Sequence, residues 1–381
     1  MVGLVVVPFV AALTVFAQAI PTGTIVDDVK CAADPSQSYA LYLPSRYTPD
    51  RAWPVLLAFH PAARGRAMVE KYAAAAEQYG FIVAGSNNSR NGPWELQRAA
   101  VAAMPADVGR RFSVDPKRVY LTGMSGGSRV ALEVALGKND IAGVIASSAG
   151  YPDSQPRSRL PFPLFSTAGS EDFNYLEMRL LDRKLTTPHY LAIFEGGHTL
   201  PPDAIALDAI EWMELQAMKA GRRARDEALV DRLLQKRREA IGASTSDART
   251  VHLLDALAAD FQGLRDVSTE AARAKMLAKQ PDVRKALDRE RTADDEDWRT
   301  VSEIIEVERS LTDSDQRAQS LLRLRTELAK LSRAANAEDD NPSRSRARRL
   351  LRMITAGAAE RVDDPEYRAI LDQYRLPGRG M

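Results

Sequence analysis

One stretch of this 381-residue chain constrains its fold more than any other: Arg118 to Leu136, RVYLTGMSGGSRVALEVAL. Val119, Tyr120 and Leu121 read as a short apolar strand. Ser128 to Leu136, with Val130, Ala131 and Val134 about a turn apart, reads as a helix, which leaves Gly123-Met124-Ser125-Gly126-Gly127 as the turn between them. A serine on such a turn sits on strained backbone with its hydroxyl exposed. The residues two before and two after it must be small, because strand and helix backbones pass close there. Gly123 and Gly127 fill those places. Alone, the five-residue pattern is weak, since a glycine-rich turn without chemistry is spelled the same way.

The surrounding chain repeats the strand-then-helix alternation. Thr24 to Ala32 and Ser38 to Leu43 alternate like a strand pair, and Trp53 to Phe59 is a near-continuous apolar run, typical of a strand buried on both faces. Then come helix Met68 to Tyr79, strand Phe81 to Ser86, loop Asn87 to Pro93, helix Trp94 to Arg111, and the central strand, turn and helix. Beyond these, Ala142 to Ala149, Leu164 to Gly169 and Tyr190 to Phe194 read as strands, and Phe173 to Leu185 and Pro201 to Lys219 as helices. The spacing predicts an α/β sandwich with a mostly parallel sheet and helices on both faces. From Gly221 onward every apolar pattern is helical: Leu253, Leu254, Leu257, Phe261 and Leu264; Val301, Ile304 and Ile305; Leu321, Leu324, Leu328 and Leu331. Breaks fall at Gly242 to Ser246, near Pro281 and at Asn341-Pro342, with no clean 34-residue repeat register, so the expectation is an all-α bundle or repeat-like domain.

Charge marks the same division. Residues 1–220 hold 41 Asp, Glu, Lys and Arg, and residues 221–381 hold 62. The expected organisation is therefore a catalytic domain over 20–219, able to fold alone, and a helical domain over 220–381 whose charges are mostly solvated helix face. Net charge is +1, which gives no reason to expect nucleic acid or an anionic surface as partner. Leu4 to Phe16 is an apolar run of 13, too short for a bilayer span of about 20 residues but within the range of a signal-peptide core. Ala17-Gln18-Ala19 supplies small residues for cleavage, although no basic residue precedes the run, so residues 1–19 read as a leader and the protein as exported. The single cysteine, Cys31, cannot form an internal disulfide and reads as a small buried apolar residue.

A serine hydroxyl becomes a nucleophile when a histidine takes its proton and a carboxylate orients that histidine. The chain has four histidines: His60, His189, His198 and His252. His252 lies among the helices and His189 opens the last strand, at the wrong edge of a parallel sheet, since ligands bind outside the carboxyl ends of strands. His198, after Glu195-Gly196-Gly197 past the end of that strand, is the one placed as general base. The acid belongs in the loop after the preceding strand, Ser170-Glu171-Asp172, where spacing alone does not separate Glu171 from Asp172 and either could instead cap a helix. The oxyanion needs backbone N–H donors. Gly126 is one; the other comes from the loop after Phe59, where Pro61 has no N–H, so Ala62 is next, then Ala63. His60 reads as structural. The chemistry calls for neither metal nor cofactor.

In order and spacing, Gly123-Met124-Ser125-Gly126-Gly127, Gly169-Ser170-Glu171-Asp172 and Gly196-Gly197-His198 resemble an α/β-hydrolase. Residues 25–219 look like the small esterases grouped with polyhydroxybutyrate depolymerases, feruloyl esterases and dienelactone hydrolases. The resemblance implies Ser125 as nucleophile, His198 as base and Asp172 as acid, the family's acid usually standing in a Gly-x-x-Asp turn. Two departures stand out: Pro61 replaces the usual glycine after the loop histidine, and dienelactone hydrolases generally carry cysteine where Ser125 stands. The expected activity is hydrolysis of small-molecule or polymeric carboxylic esters. The link Pro152 to Pro163, with four prolines, cannot form a helical lid, so an open cleft favouring short acyl or bulky esters is expected. Rival readings are a peptidase on the same triad, without an evident amine-binding glutamate pair or propeller, and a silent hydrolase fold serving as scaffold for the helical domain, which retention of all three residues disfavours. The helical domain is the expected place for a protein partner.

Overall fold

The computed structural model describes residues 20–151, 157–311, 313–338, 342–356 and 364–377. The leader, and with it the expectation of export, lies outside the described residues. So does the first part of the proline-bearing link, residues 152–156, on which the expectation of an uncapped cleft partly rests.

Eight strands form one sheet: β1 (Ile25–Lys30), β2 (Ser38–Tyr42), β3 (Trp53–Phe59), β4 (Ile82–Ser86), β5 (Val114–Met124), β6 (Ile141–Ser147), β7 (Leu164–Gly169) and β8 (His189–Phe194). Their spatial order is β1-β2-β4-β3-β5-β6-β7-β8. β2 pairs antiparallel with β1 and β4, and every pair from β4 to β8 is parallel. Strands β3, β6 and β7 are buried along their whole length, the physical reason they are spelled as unbroken apolar runs. Alternate residues of β3 serve opposite faces. Trp53, Val55, Leu57 and Phe59 pack beneath α2 (Trp94–Arg111), α3 (Gly126–Leu136) and α4 (Tyr175–Lys184). Leu56 and Ala58 pack beneath α1 (Gly65–Tyr79) and α5 (Asp203–Lys219). β5 is longer than its apolar stretch: Val114 pairs with Trp53 across an irregular register, and the charged residues Asp115, Lys117 and Arg118 hide that extension from a hydrophobic pattern.

Seven helices follow among the described residues: α6 (Glu227–Gly242), α7 (Asp247–Phe261), α8 (Ser268–Ala278), α9 (Pro281–Ser310), α10 (Ser314–Ala335), α11 (Pro342–Thr355) and α12 (Pro365–Tyr374). Their starts are chemically marked. Asp226, Ser246, Asp313 and Asp364 accept from the first-turn N–H groups, and Pro281 and Pro365 open their helices. The helices form two groups rather than a repeating stack. The first, α6 to α8, shares a core with α5: Leu215 and Met218 pack with Leu233, Leu257 and Phe261. The second, α9 to α12, has its own core of Ile304, Leu324, Leu328, Leu351 and Tyr367. It reaches the sheet half through Leu176 of α4, packed with Val301 and Leu350. Ile305, read as part of the α9 stripe, is instead 36 % exposed, and the buried stripe continues through Val307 and Leu311. No helix among the described residues is long and apolar enough to cross a membrane.

Helix α5 is therefore covered on both sides. Its Trp212 Nε1 donates to Asp260 of α7 at 2.6 Å, and Lys236 of α6 reaches Asp208 and Glu211 at 2.6 Å each. A fragment ending at residue 219 would bare Leu215 and Met218, worth about 1.5–3 kcal/mol each, against the usual total of about 5–15 kcal/mol. We expect residues 20–219 alone to unfold at a markedly lower urea midpoint than the full chain, or to aggregate. Equal midpoints would show that the outer face of α5 needs no cover.

Candidate active site

Ser125 stands between β5 and α3 with φ 53° and ψ −123°, a conformation L residues rarely adopt. It cannot relax, because its neighbours leave no room. Its N–H donates to the Ser147 carbonyl at 2.8 Å, tying the turn to β6. A Cβ on Gly123 would run into the Gly127 carbonyl, and one on Gly127 into the Phe59 carbonyl, so both glycines are required by close backbone approach. The Gly126 N–H, at the start of α3, makes no hydrogen bond among the described residues and lies at the positive end of the helix dipole.

The structure brings His198 and Asp172 to this serine. His198 Nε2 lies 2.8 Å from Ser125 Oγ, and His198 Nδ1 lies 2.8 Å from Asp172 Oδ1. Both reach it because β7 and β8 run parallel to β5, so their following loops open at the same edge. Asp172 is 1 % exposed. Its Oδ1 also accepts the Asn174 N–H at 2.8 Å, and its carbonyl accepts from Tyr175, so this turn delays α4 to Tyr175 instead of Phe173. Oδ2 is buried with no hydrogen-bond partner among the described residues, which concentrates the carboxylate's interactions on Oδ1. Glu171, which spacing left open as the acid, points away: its carboxylate is held by Arg348 and Arg352 of α11.

His189 is not brought to the site; its Nδ1 meets the Thr187 carbonyl and its Nε2 lies 3.7 Å from Asp182. His252 pairs with Glu290 at 2.7 Å among the helices. Cys31 is buried, and burial first, then the Asp107 charge, pushes its thiol up to about 11. The two oxyanion-donor positions beside Pro61 differ from the sequence expectation. The Ala62 N–H donates to Nδ1 of His60 at 3.0 Å, and the Ala63 N–H to the Ser89 carbonyl at 3.0 Å, with Ala63 at φ 55°. Both N–H groups are engaged, Ala62 within its own loop and Ala63 with the loop after β4, which leaves Gly126 as the free donor of the expected pair.

Phe173 was not singled out by sequence reasoning, yet its ring stacks on His198 with centroids 3.9 Å apart. Its place directly after Asp172 was the available signal. Asn174 Nδ2 donates to the Ser148 carbonyl at 2.7 Å and joins the acid turn to the end of β6. Arg129 of α3 and Glu177 of α4 form a two-pronged pair at 2.8 Å per bond, with the Gly150 N–H on Glu177 at 2.7 Å.

The sheet order sets a strained serine turn after the fifth strand, where loops from the seventh and eighth strands meet that serine. Residues 25–219 fold as the α/β sandwich with a mostly parallel sheet that the sequence pattern predicts. No family model matches the sequence, and no curated protein is similar to it. Similar solved structures include the feruloyl esterase module from Clostridium thermocellum complexed with sinapinate, at 15 % identity over 50 % of this chain and 86 % of that one, TM-score 0.39. Another is the substrate-bound, fluorophosphonate-binding serine hydrolase F of Staphylococcus aureus, at 15 % identity over 50 % and 98 %, TM-score 0.39. A third is Est1E from Butyrivibrio proteoclasticus, at 12 % identity over 50 % and 99 %, TM-score 0.40.

Two predictions follow from the local physics. Strain of the Ser125 kind costs about 1–3 kcal/mol, and the extra unfolded-state entropy of glycine returns about 0.5–1. Ser125→Gly should therefore raise stability by about 1 kcal/mol in urea titration, and a loss of stability would mean the turn is not strained. The second concerns His60. Burial first, then the Arg64 charge, lowers this ring from 6.5 to about 4, so it stays neutral and accepts from Ala62. Its folded value lies below its unfolded one, so its contribution is complete above pH 6.5 and is lost as pH falls towards 4. The loss is about 3 kcal/mol. His60→Gln should show a shallower decline in stability between pH 6.5 and 4 than wild type; parallel curves would clear His60 of the effect.

Proposed function

We propose that the protein is a serine hydrolase of carboxylic esters, with Ser125 as nucleophile, His198 as general base and acid, and Asp172 as the orienting carboxylate. The observation that carries this reading is the unbroken chain of two 2.8 Å contacts from Ser125 Oγ through the His198 ring to the buried Asp172. In the first half-reaction Ser125 Oγ attacks the ester carbonyl carbon while its proton passes to His198 Nε2. Asp172 stabilises the resulting imidazolium through Nδ1–H, and the oxyanion faces the free N–H of Gly126. Collapse of the tetrahedral species breaks the C–O bond, His198 returns the proton to the departing alcohol, and an acyl group remains on Ser125. Water repeats the sequence with His198 as base, releasing the acid and the free serine. Ala62 becomes a second donor in this scheme only if it exchanges its bond to His60 for one to the oxyanion.

Support for a working site over a silent scaffold is energetic. Strained backbone at a serine persists only when held, and it costs stability with no return unless the hydroxyl is used. For substrate size, the reading is of short acyl or bulky and polymeric esters. Each CH₂ of a long chain left in water forgoes about 0.8 kcal/mol of transfer energy. Amide hydrolysis on the same triad is the competing outcome.

Ser125→Ala should abolish ester hydrolysis down to the residual ~10³–10⁴-fold over water that oxyanion donors and binding supply, and Asp172→Asn should lower kcat by about 10⁴. The measurement is a panel of p-nitrophenyl esters of rising chain length, a feruloyl ester and an amide, with fluorophosphonate labelling alongside. Labelling that survives in Ser125→Ala would sink the assignment, and a preference for the amide would move the protein to the peptidase reading.

A further inference from the structure

This inference rests on the reading of Ser125, His198 and Asp172 as the reacting triad. The turn that carries the acid and the loop that carries the base are clasped by backbone bonds: Ser170 N–H to the Phe194 carbonyl and Glu171 N–H to the Gly196 carbonyl, each 2.8 Å. Gly169 passes so close to the Gly196 and Gly197 carbonyls that a Cβ there would collide with both. The side chain of Glu171 faces the other way, towards α11. Its Oε1 accepts from Arg348 at 3.2 Å and its Oε2 from Arg352, which also reaches the Glu171 main-chain carbonyl at 3.4 Å. Arg348 Nε is in turn fixed on the Ala335 carbonyl at 3.0 Å.

This cluster is sheltered. Side-chain exposure is 14 % for Glu171, 20 % for Arg348 and 17 % for Arg352. Burial alone would raise the Glu171 carboxyl; the two guanidiniums outweigh it and hold it below its usual range. Nor does α11 hang free. Arg349 lies over the Tyr175 ring at 4.3 Å, Arg346 and Arg349 both hold the buried Asp297, and Leu350 packs with Leu176 and Val301. A helix held at several points thus grips one of the two residues whose backbone N–H groups join the acid turn to the base loop.

We propose that Glu171, Arg348 and Arg352 are positioning residues: through them α11 keeps Asp172 and the His198 loop in register, so the helical domain is a working part of the hydrolase. The requirement is geometric. Displacing a catalytic group by about 1 Å can cost about 10²-fold in rate, and Glu171, directly before Asp172, is the residue of this turn whose side chain is anchored on α11. Charge-assisted bonds from two guanidiniums to one sheltered carboxylate supply that anchorage. Because the effect acts through other residues, it belongs in kcat and not in substrate binding.

The test uses the full chain. The triple variant Glu171→Gln, Arg348→Gln, Arg352→Gln removes the ion pairs without stranding a charge. It should lower kcat for a short p-nitrophenyl ester by about tenfold or more while KM stays within about twofold, and fluorophosphonate labelling of Ser125 should slow in parallel. Arg348→Gln, Arg352→Gln leaves Glu171 charged and unpaired and should be worse. Arg352→Lys, which keeps charge but loses the planar fork, should fall between triple variant and wild type. A folded triple variant with wild-type kcat, or one whose KM rises while kcat holds, overturns the proposal. Should the triple variant fail to fold, Arg352→Lys decides, and a wild-type kcat there overturns it as well. Wild-type protein that neither hydrolyses esters nor takes the label removes the triad reading and this proposal together, whereas active wild type with indifferent variants removes only this one.

Discussion

The close approach of three backbones at Ser125 is the constraint on which the rest of the sheet half depends. Gly127 abuts the Phe59 carbonyl of β3, Gly123 abuts Gly127, and Ser125 itself is bonded to Ser147 of β6. The turn is therefore gripped by three strands at the centre of the sheet, where burial is complete and packing resists any shift. That grip is what lets a non-glycine residue stay at φ 53°, and it fixes where everything else must come. With the strands parallel, the loops after β7 and β8 open at the same edge, and the chain places one carboxylate and one imidazole there.

How much of this was legible in the sequence depends on whether the signal was local. Strands buried on both faces are spelled as apolar runs, so β3 and β7 could be bounded to the residue, and the elbow showed itself through two glycines that steric contact demands. His198 followed from its place after the last strand. The acid did not: Glu171 and Asp172 are adjacent, and what separates them is that one faces the His198 ring and the other faces α11, a contact spanning 177 to 181 residues. The same distance hid Arg348 and Arg352, which in sequence are two cations one turn apart on a strongly basic helix. The Ala62 expectation failed to anticipate its loop. With Pro61 beside it, nothing in the spelling indicates that His60 would turn its Nδ1 back onto the next available N–H.

The charge that doubles in density beyond residue 220 also reads differently once partners are known. As helix face in solvent it would contribute little, since exposed pairs are worth roughly 0–1 kcal/mol. Part of it is instead spent on the junction. Arg179 meets Asp294 at 3.1 Å and Arg183 meets Asp295 at 3.0 Å across it, and behind it, between α9 and α11, Asp297, fully buried, is held by Arg346 and Arg349. Arg183–Asp295 is exposed, but the Arg179–Asp294 and Asp297 pairs are sheltered; such pairs gain little over apolar residues of equal size, yet removing one partner is costly, so they select a single seating of the helices more than they add to stability. Where α4 meets α9 and α11 the fully buried apolar residues are few, Leu176 with Val301 and Leu350, so ionic contacts carry much of the geometry there.

That seating places a helix from the far end of the chain at the rim of the proposed site. An uncapped cleft was expected because proline-rich sequence cannot form a helical lid in the link after β6, and the described part of that link, from residue 157, contains no helix. The wall on the base side is built from elsewhere: Arg352 comes within 3.9 Å of where a side chain on Gly197 would begin, one residue before His198. A Cβ at 197 would make ordinary contact with the guanidinium that holds Glu171, so α11 stands directly against this loop. The wall is polar, with two guanidiniums against one carboxylate. An ionic cluster carried by α11 is therefore what stands beside the His198 loop.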